Sequence, residues 1–465
     1  MRSKRILYVI YILVCFFALV SFTYYGLVYF NGYNSDLAIP VLMAEDFQLP
    51  RDFYFRGQDR LGSLIPLLAS ILTFFGVNAL WATAIIPYVL LLACFVLLQG
   101  FFKAYWQKLI LGLILFFPHW AFIEQVLPGH PYVAHLFFLV LFIKIFNTSL
   151  LNLFKYPLLA LIAFAMVWAS EMAAINIIAF AVVWFKDWKP ILNSRKTLIA
   201  TVISVLFGAI LLLWAKKEAQ NAANFYQFLA SPAEIMHALG NIVNQLVNVI
   251  NIEGNKPPVV VLFWLMLICV LLIIIIKPKV NKIASFFLLS AAGMFIMVVI
   301  SHWSALNNYP FRYYTLAYIQ LLFALILISK SKIFILELAT ISICFATALS
   351  GIYLVRNFSL EVDERMNLSQ MQEIASKGNV GVIGSYWNSY GIDALSQKVV
   401  ATPHEDSFLR MPEKVEDVFS KDSILLIKNE AFSELSDTVY QYNHMLILTS
   451  ELYSLDEFEY AFYKH

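Results

Sequence analysis

Long apolar runs alternate with short polar segments from residue 6 to residue 355 of this 465-residue chain. A helix needs about 20 consecutive apolar residues to cross the hydrocarbon core of a bilayer. The pattern therefore predicts an α-helical polytopic membrane protein with about 11 spans. The predicted spans are residues 6–30, 79–99, 109–127, 131–146, 156–170, 172–185, 197–215, 258–276, 283–302, 311–329 and 333–355. Two of them, 156–170 and 172–185, are short, and one bent span is the alternative for this pair.

The composition supports this prediction. Hydrophobic residues make up 61% of the chain and charged residues 13%, against about 45–50% and about 25% in soluble domains. A soluble fold of this size would lack the polar residues needed to cover its surface. All four cysteines lie in apolar runs, which argues against a disulfide framework and a CxxC zinc site. No Walker motif or glycine-rich nucleotide loop is present, and nucleic acid is not an expected partner.

Charge divides the chain into two regions. Residues 359–465 contain 18 acidic and 8 basic side chains, whereas the apolar region before them has more basic than acidic ones. We therefore predict a membrane body at residues 1–358 and a water-soluble C-terminal domain at residues 359–465. Apolar segments at 380–384, 398–401, 423–428 and 445–449 predict strands with helices between them, which together indicate a small α/β domain.

The basic residues between the spans predict the orientation. Positive charges accumulate on the cytoplasmic side. With the N-terminus placed there, six basic segments fall inside together with a single acidic residue, Asp187. This partition requires that the apolar segment 61–75 lies on the outer face instead of crossing. Outer loops are then predicted at 31–76 and 216–257, and the C-terminal domain is extracytoplasmic. The first span is too long for a cleaved signal peptide.

Candidate chemistry begins in the first outer loop. Asp36 follows the first span by a few residues, and a carboxylate held beside apolar surface can have a raised pKa and act as a general base. The alternative is that Asp36 caps a helix beginning at Leu37, because Asp is a favoured N-cap residue. Arg56 and Arg60 supply positive charge further along the loop, although Asp59 and Arg60 are also a candidate local ion pair.

The next outer turns contain Glu124, His130 and Glu171. A glutamate near the outer end of a span is costly unless it faces a cavity. Glu124 and His130 are therefore candidates to bind a hydroxylated substrate or a metal ion, although two ligands are a weak metal motif. His130 lies beside prolines and has a simple turn residue as its alternative. The alternative for Glu171 is an acidic residue that stabilises a helix N-terminus.

Arg312 lies at the predicted outer start of a late span, in the run Phe311-Arg-Tyr-Tyr. A guanidinium there suits bidentate binding of a phosphate group. The alternative is an arginine that extends to the bilayer interface within an aromatic belt.

In order and position these features resemble the GT-C superfamily of integral-membrane glycosyltransferases. This superfamily includes the protein O-mannosyltransferases and the aminoarabinose transferases of lipid A. The resemblance rests on one span before an outer loop that opens with Asp36, and on an outer helix at 61–75 followed by Gly76-Val-Asn. It also rests on the short helical pair around Trp168-Ala-Ser-Glu171 and on the Phe311-Arg-Tyr-Tyr run.

The C-terminal domain adds to the resemblance. Its segment 382–390, which contains Tyr386 and Trp387, is similar to the Tyr-Trp-rich start of this domain in bacterial members. The sequence departs from the family in the first loop, where Ser35-Asp36-Leu37 stands in place of an acidic pair. Asp36 is therefore the single match there, and no metal cofactor is expected.

The resemblance implies an inverting transfer of a sugar from a polyprenyl-phosphate donor to an acceptor hydroxyl on a glycan, lipid or protein. The reaction would take place on the extracytoplasmic face of a bacterial inner membrane. Asp36 would deprotonate the acceptor, and stabilisation of the departing phosphate would be a main contribution of the protein. The implied phosphate-binding residues are Arg312, Arg60 and Arg56. The implied substrate-binding residues are Glu124, His130, Glu171, His302, Tyr309 and Tyr313.

A membrane transporter or flippase is the competing interpretation. It predicts ionisable residues in the middle of spans and two halves related by an internal repeat. Charges in the middle of the spans are few and the halves show no repeat, which favours transfer chemistry. A receptor or scaffold would leave the acidic first loop without a role.

Overall fold

The computed structural model describes residues 2–188, 194–219, 228–250, 280–329, 334–356, 365–429 and 432–465. The predicted span at 258–276 lies outside the described residues. The described helices of the membrane body are α1 Arg2–Tyr25, α2 Ser35–Glu45, α3 Leu64–Phe74, α4 Ala79–Leu98, α5 Tyr105–Phe116, α6 Tyr132–Phe146, α7 Asn152–Ala169, α8 Ala173–Val183, α9 Arg195–Glu218, α10 Pro232–Ile250, α11 Lys282–Ile300, α12 His302–Leu306, α13 Thr315–Ile328 and α14 Phe334–Arg356.

Six described segments are long and apolar enough to cross a membrane. They are Lys4–Tyr29, Ala79–Phe101, Asn152–Ala169, Arg195–Glu218, Lys282–Ile300 and Phe311–Ile328. Their outward surfaces are apolar as well: on α9, Ile203, Ile210 and Leu213 are between 60% and 69% exposed. Water solvates such a surface poorly, whereas lipid chains match it. The prediction of a helical polytopic membrane protein is confirmed.

The structure corrects one predicted span and decides between the two alternatives for the short helical pair. The predicted span 109–127 is a helix only as far as Phe116, at the end of α5. Pro118 follows, and the residue before a proline is disfavoured in helical conformation, so the chain turns there. In the short pair, Ser170 is extended between α7 and α8, so the pair consists of two helices rather than one bent span.

The apolar helix α3 has 11 residues. At 1.5 Å per residue its length is about 16 Å, which is too short to cross a hydrocarbon core of about 30 Å. The prediction that this segment does not cross agrees with that length. The second predicted outer loop, 216–257, contains helix α10, which begins at Pro232.

Neutral polar side chains connect three helices inside the membrane body. His135 on α6 places Nε2 2.7 Å from Oδ1 of Asn176 on α8, and Asn176 donates to Oε1 of Gln320 on α13 at 2.8 Å. All three side chains are buried. Because an unpaired polar group in an apolar interior is costly, this chain of contacts favours one relative position of the three helices.

The C-terminal domain carries a mixed sheet. Its elements are α15 Leu368–Ala375, β1 Gly381–Gly384, α16 Tyr386–Asp393, β2 Val400–Pro403, α17 Glu413–Phe419, β3 Ile424–Ile427, β4 Thr438–Gln441, β5 His444–Leu448, β6 Tyr453–Leu455 and β7 Phe458–Lys464. Within the described residues the strand order is β2-β1-β3-β7-β5-β4, and β6 pairs with β7. β1 pairs in parallel with β2 and β3, and the other pairs are antiparallel. The four predicted strands overlap β1, β2, β3 and β5, whereas β4, β6 and β7 were not predicted.

The C-terminal domain packs against segment 31–76 of the membrane body, which is the first predicted outer loop. The hydroxyl of Ser35 donates to the carbonyl oxygen of Tyr386 and accepts from the backbone N–H of Tyr390 at 3.2 Å. Ser35 is fully buried, and so is the ring of Tyr33 beside it. The N-terminal turn of α16 is therefore fixed on the N-terminal turn of α2.

Candidate active site

Asp36 lies in the first turn of α2. The cap of this helix is Asn34, whose side-chain oxygen accepts from the backbone N–H of Leu37 at 3.3 Å. The interpretation of Asp36 as the N-cap is therefore wrong. Its carboxylate is available for contacts outside the helix and is 20% exposed.

The contacts of the Asp36 carboxylate come from the C-terminal domain. The hydroxyl of Tyr386 donates to Oδ1 of Asp36 at 2.7 Å. Nε of Arg410 donates to the same hydroxyl at 2.8 Å, and Nη2 of Arg410 lies 3.8 Å from Oδ1. Two residues at least 350 positions away in the sequence thus complete the surroundings of Asp36.

These contacts determine the charge of Asp36. Burial raises the pKa of this carboxyl, but the charge of Arg410 and the hydrogen bond from Tyr386 outweigh burial and hold the pKa below its ordinary value. The expectation of a raised pKa is therefore wrong, because Arg410 of the C-terminal domain lies beside Asp36 in the fold. Burial and the charge of Asp36 raise the pKa of Tyr386. At neutral pH the site contains a carboxylate and a protonated phenol.

A second charged group, formed by Glu124, His130 and Arg312, lies next to Asp36. Oε1 of Glu124 is 3.6 Å from Nη1 of Arg312, and Oε2 is 3.4 Å from Nε2 of His130. The turn at Gly129 brings this group to α2. A Cβ atom at Gly129 would lie only 2.5 Å from the carbonyl oxygen of Asp36, so the close approach requires glycine.

Arg365, which belongs to the C-terminal domain, is the third arginine of the site after Arg410 and Arg312. Its guanidinium carbon lies 3.9 Å from the ring centroid of Trp387, a cation–π arrangement. The charges of Asp36, Glu124 and Arg312 all act on this guanidinium. The Nε atoms of Arg312 and Arg365 are both buried and have no hydrogen-bond partner within the described residues. The site therefore holds more positive than negative charge, with donors left to bind an anion.

Arg56 lies outside this cluster. Its guanidinium is nearly buried and donates to Oδ1 of Asp52 at 2.8 Å and to the carbonyl oxygen of Asp46 at 2.9 Å. It also lies 3.5 Å from Glu413 of the C-terminal domain. These contacts occupy its donors and connect segment 31–76 to α17, which favours a structural role.

Arg60 and Glu171 lie apart from the Asp36 cluster, on a second side of the site that we call the Trp303 wall. The guanidinium carbon of Arg60 is 4.1 Å from the ring centroid of Trp303. Burial lowers the pKa of Arg60, and the charge of Glu171 opposes this effect. Glu171 itself forms an exposed ion pair with Lys216. Trp303 follows His302, so this wall adjoins the segment before Arg312.

His302, Tyr309 and Tyr313 divide into two groups. Nδ1 of His302 lies 3.1 Å from Oε1 of Glu234 on α10, and the hydroxyl of Tyr309 donates to the Glu234 carbonyl oxygen at 3.2 Å. Tyr309 is fully buried with a φ of 52°. Tyr313 instead lies beside Arg312, whose guanidinium carbon is 5.4 Å from its ring centroid. Tyr313 therefore belongs to the Asp36 cluster, whereas His302 and Tyr309 attach this segment to α10.

An apolar cleft opens beside the cluster. It is a shallow cleft that lies between the start of α3 and the turn before α6. Its wall includes Leu61, Ile65 and Pro66 on one side and His130 and Ala134 on the other. Across the described ranges, no group of three or more His, Cys, Asp or Glu side chains has the geometry to hold a metal ion.

Sequence analysis missed Tyr386, Arg365 and Arg410 as site residues. The Tyr-Trp segment that contains Tyr386 resembles a family segment, but this resemblance implies no role for Tyr386. The two arginines are exceptions in a strongly acidic domain, which is the signal that could have identified them.

No protein-family model matches the chain, and no curated protein sequence does. Among solved structures, the chain is similar to the oligosaccharyltransferase AglB of the archaeon Archaeoglobus fulgidus, determined in complex with an inhibitory peptide and a dolichol-phosphate. The TM-score is 0.44 at 12% sequence identity, over 89% of this chain and 68% of that chain. The function of this helical membrane protein is therefore inferred from the side chains around Asp36.

Proposed function

We propose that the chain is an inverting glycosyltransferase that moves a sugar from a polyprenyl-phosphate donor to an acceptor hydroxyl. One observation carries this proposal: the ionised, partly exposed carboxylate of Asp36 faces a cluster of three arginines, Arg312, Arg365 and Arg410. A base for the acceptor and cations for a phosphate leaving group are the two requirements of such a transfer.

In the proposed reaction the acceptor hydroxyl gives its proton to Asp36 and its oxygen attacks the anomeric carbon of the sugar. The bond from that carbon to the phosphate oxygen breaks on the opposite face, and polyprenyl phosphate departs with the bonding electrons. Arg312 and Arg365 stabilise the phosphate through their free donors. Glu124 and His130 orient Arg312 through the contacts described above, and Tyr313 lines the same wall.

The donor lipid requires an apolar path to this site. The cleft between α3 and His130 offers apolar walls beside the cluster, and we propose that the donor lipid approaches the site along these walls. Arg60 lies beside Trp303, and we propose that it contributes positive charge near the phosphate or the sugar. We propose that Glu171, His302 and Tyr309 support the edge of the substrate cavity through their contacts with Lys216 and Glu234.

The proposal includes the orientation of the chain in the membrane. Asp36 and the C-terminal domain are in direct contact and so lie on one face, and α1 separates Asp36 from the basic N-terminus. The basic segments between the spans support a cytoplasmic position of that N-terminus. The site and the C-terminal domain are then extracytoplasmic, in the inner membrane of a bacterium.

The test uses purified protein in detergent with a panel of radiolabelled polyprenyl-phosphate sugars. The wild type is compared with Asp36→Asn and with Asp46→Asn, which removes an exposed carboxylate at the other end of α2. We expect release of the label from one donor by the wild type and by Asp46→Asn, but not by Asp36→Asn. Turnover that survives in Asp36→Asn contradicts the assigned base.

A further inference from the structure

The two oxygens of the Asp36 carboxylate are not equivalent. Tyr386 and Arg410 both approach Oδ1, at 2.7 Å and 3.8 Å. Oδ2 accepts no hydrogen bond from any residue in the described part of the chain, although the side chain is 20% exposed. One oxygen is thus held by the protein while the other remains open.

The two contacting side chains are themselves fixed. The carbonyl oxygen of Tyr386 accepts from the buried hydroxyl of Ser35, one residue before Asp36. The hydroxyl of Tyr390 accepts from the backbone N–H groups of Arg410 and Met411, at 3.0 Å and 3.1 Å. The hydroxyl of Tyr386 and the guanidinium of Arg410 therefore have a fixed geometry relative to α2.

We infer that Tyr386 and Arg410 are positioning residues that hold Oδ1 of Asp36 and leave Oδ2 to accept the proton of the acceptor hydroxyl. This inference rests on the proposed transferase function. It means that both domains contribute residues to the active site. A general base gains from such fixation, because proton transfer requires a defined distance and orientation. The phenol also donates to the ionised form of Asp36, and such a contact stabilises it.

Other charged groups near Asp36 also affect the pKa of its carboxyl. His130 and Arg312 act on the carboxyl from the membrane body and lower its pKa, in the same direction as Arg410. Arg365 and Glu124 lie in the same cluster with opposite signs. A test must therefore change Tyr386 or Arg410 while these groups stay in place.

The experiment compares full-length wild type with Tyr386→Phe, Arg410→Gln and Arg410→Lys. Tyr463→Phe is the matched control, because its hydroxyl donates to the carbonyl oxygen of Ser436 within the sheet. Two readouts are used. One is the pH profile of kcat for transfer, and the other is the infrared carboxyl band of Asp36, obtained as the difference from the same variant with Asp36→Asn.

We expect Tyr386→Phe and Arg410→Gln to lower kcat by about 10- to 100-fold, as misorientation of a catalytic group does. The acid limb of the profile and the midpoint of the infrared titration should both move up by about one pH unit. Arg410→Lys should recover part of the loss, and Tyr463→Phe should match the wild type.

The two proposals fail in different ways. If the wild type transfers sugar but the infrared midpoint and the acid limb stay in place in Tyr386→Phe and Arg410→Gln, the positioning inference is overturned and the transferase stands. If the midpoint moves as expected but no donor is turned over, the contacts to Asp36 are supported and the transferase proposal fails.

Discussion

Asp393, at the end of α16, gives the C-terminal domain a pH-dependent stability. Its side chain is 4% exposed, and its Oδ2 lies 3.0 Å from Nζ of Lys414. Burial raises the pKa of Asp393 from 3.8 to about 6, even though Lys414 acts in the opposite direction. The folded domain therefore holds this proton more tightly than the unfolded chain does.

The sign and size of the effect follow from linkage. A carboxyl with a raised pKa in the folded state stabilises folding fully below the unfolded pKa, and this contribution is lost as the pH rises through the folded pKa. The full contribution is about 3 kcal/mol, since each tenfold change in proton affinity equals 1.36 kcal/mol. Between pH 8 and pH 5 the gain in stability is about 1.4 kcal/mol.

Asp393→Asn removes this ionisation without a change in side-chain size. We expect the variant to be more stable than the wild type at pH 8, by up to about 3 kcal/mol, and to lose the gain on acidification. The assay is pulse proteolysis of the full-length protein in urea at pH 8 and pH 5, with the C-terminal domain followed on a gel. Asp422→Asn, which removes an exposed carboxylate from the same domain, is the control. An Asp393→Asn variant that is less stable than wild type at pH 8, or equally pH-dependent, refutes the reasoning.

Three other changes test the site and the membrane body. Gly129→Ala places a methyl group 2.5 Å from the Asp36 carbonyl oxygen, so we expect loss of transfer with normal helix content by circular dichroism. Arg365→Gln removes a buried hydrogen-bond donor of the anion site and should raise the KM for the polyprenyl-phosphate sugar about 10-fold. Lys398→Gln, which changes an exposed residue, should leave this KM unchanged. Equal KM values for the two variants contradict the role of Arg365. Asn176→Leu removes the partner of His135 Nε2 and of Gln320 Oε1 and should lower the free energy of unfolding by about 1–3 kcal/mol, measured by thermal denaturation in detergent; unchanged stability shows that the polar contacts are dispensable.

Sequence alone predicted the membrane body well because a span of apolar residues needs no partner to be recognised. It failed where a single residue ends a helix, as at Pro118 after α5. In the C-terminal domain it found the apolar strands β1 and β3, which are buried along their whole length. It missed β7, whose seven residues include the polar Glu459 and Lys464 among aromatic ones and whose register is fixed only by its neighbours.

The sequence predicted only part of the candidate site, and the reason is related. Asp36, Glu124 and Arg312 lie where the spans emerge, so the pattern of spans brings them near one face. Tyr386 and Arg410 reach Asp36 across about 350 positions of sequence, and no local pattern reports such a contact. The direction of the Asp36 pKa was wrong for the same reason, since the cation that controls it comes from the other domain.

The most direct test of the central claim is the anomeric configuration of the product, measured by NMR after turnover of the active polyprenyl-phosphate sugar. A transfer with Asp36 as base and phosphate as leaving group on opposite faces predicts inversion by the wild type. Asp36→Asn should still bind the donor but form no product. A product with retained configuration, or full activity of Asp36→Asn, would contradict the account.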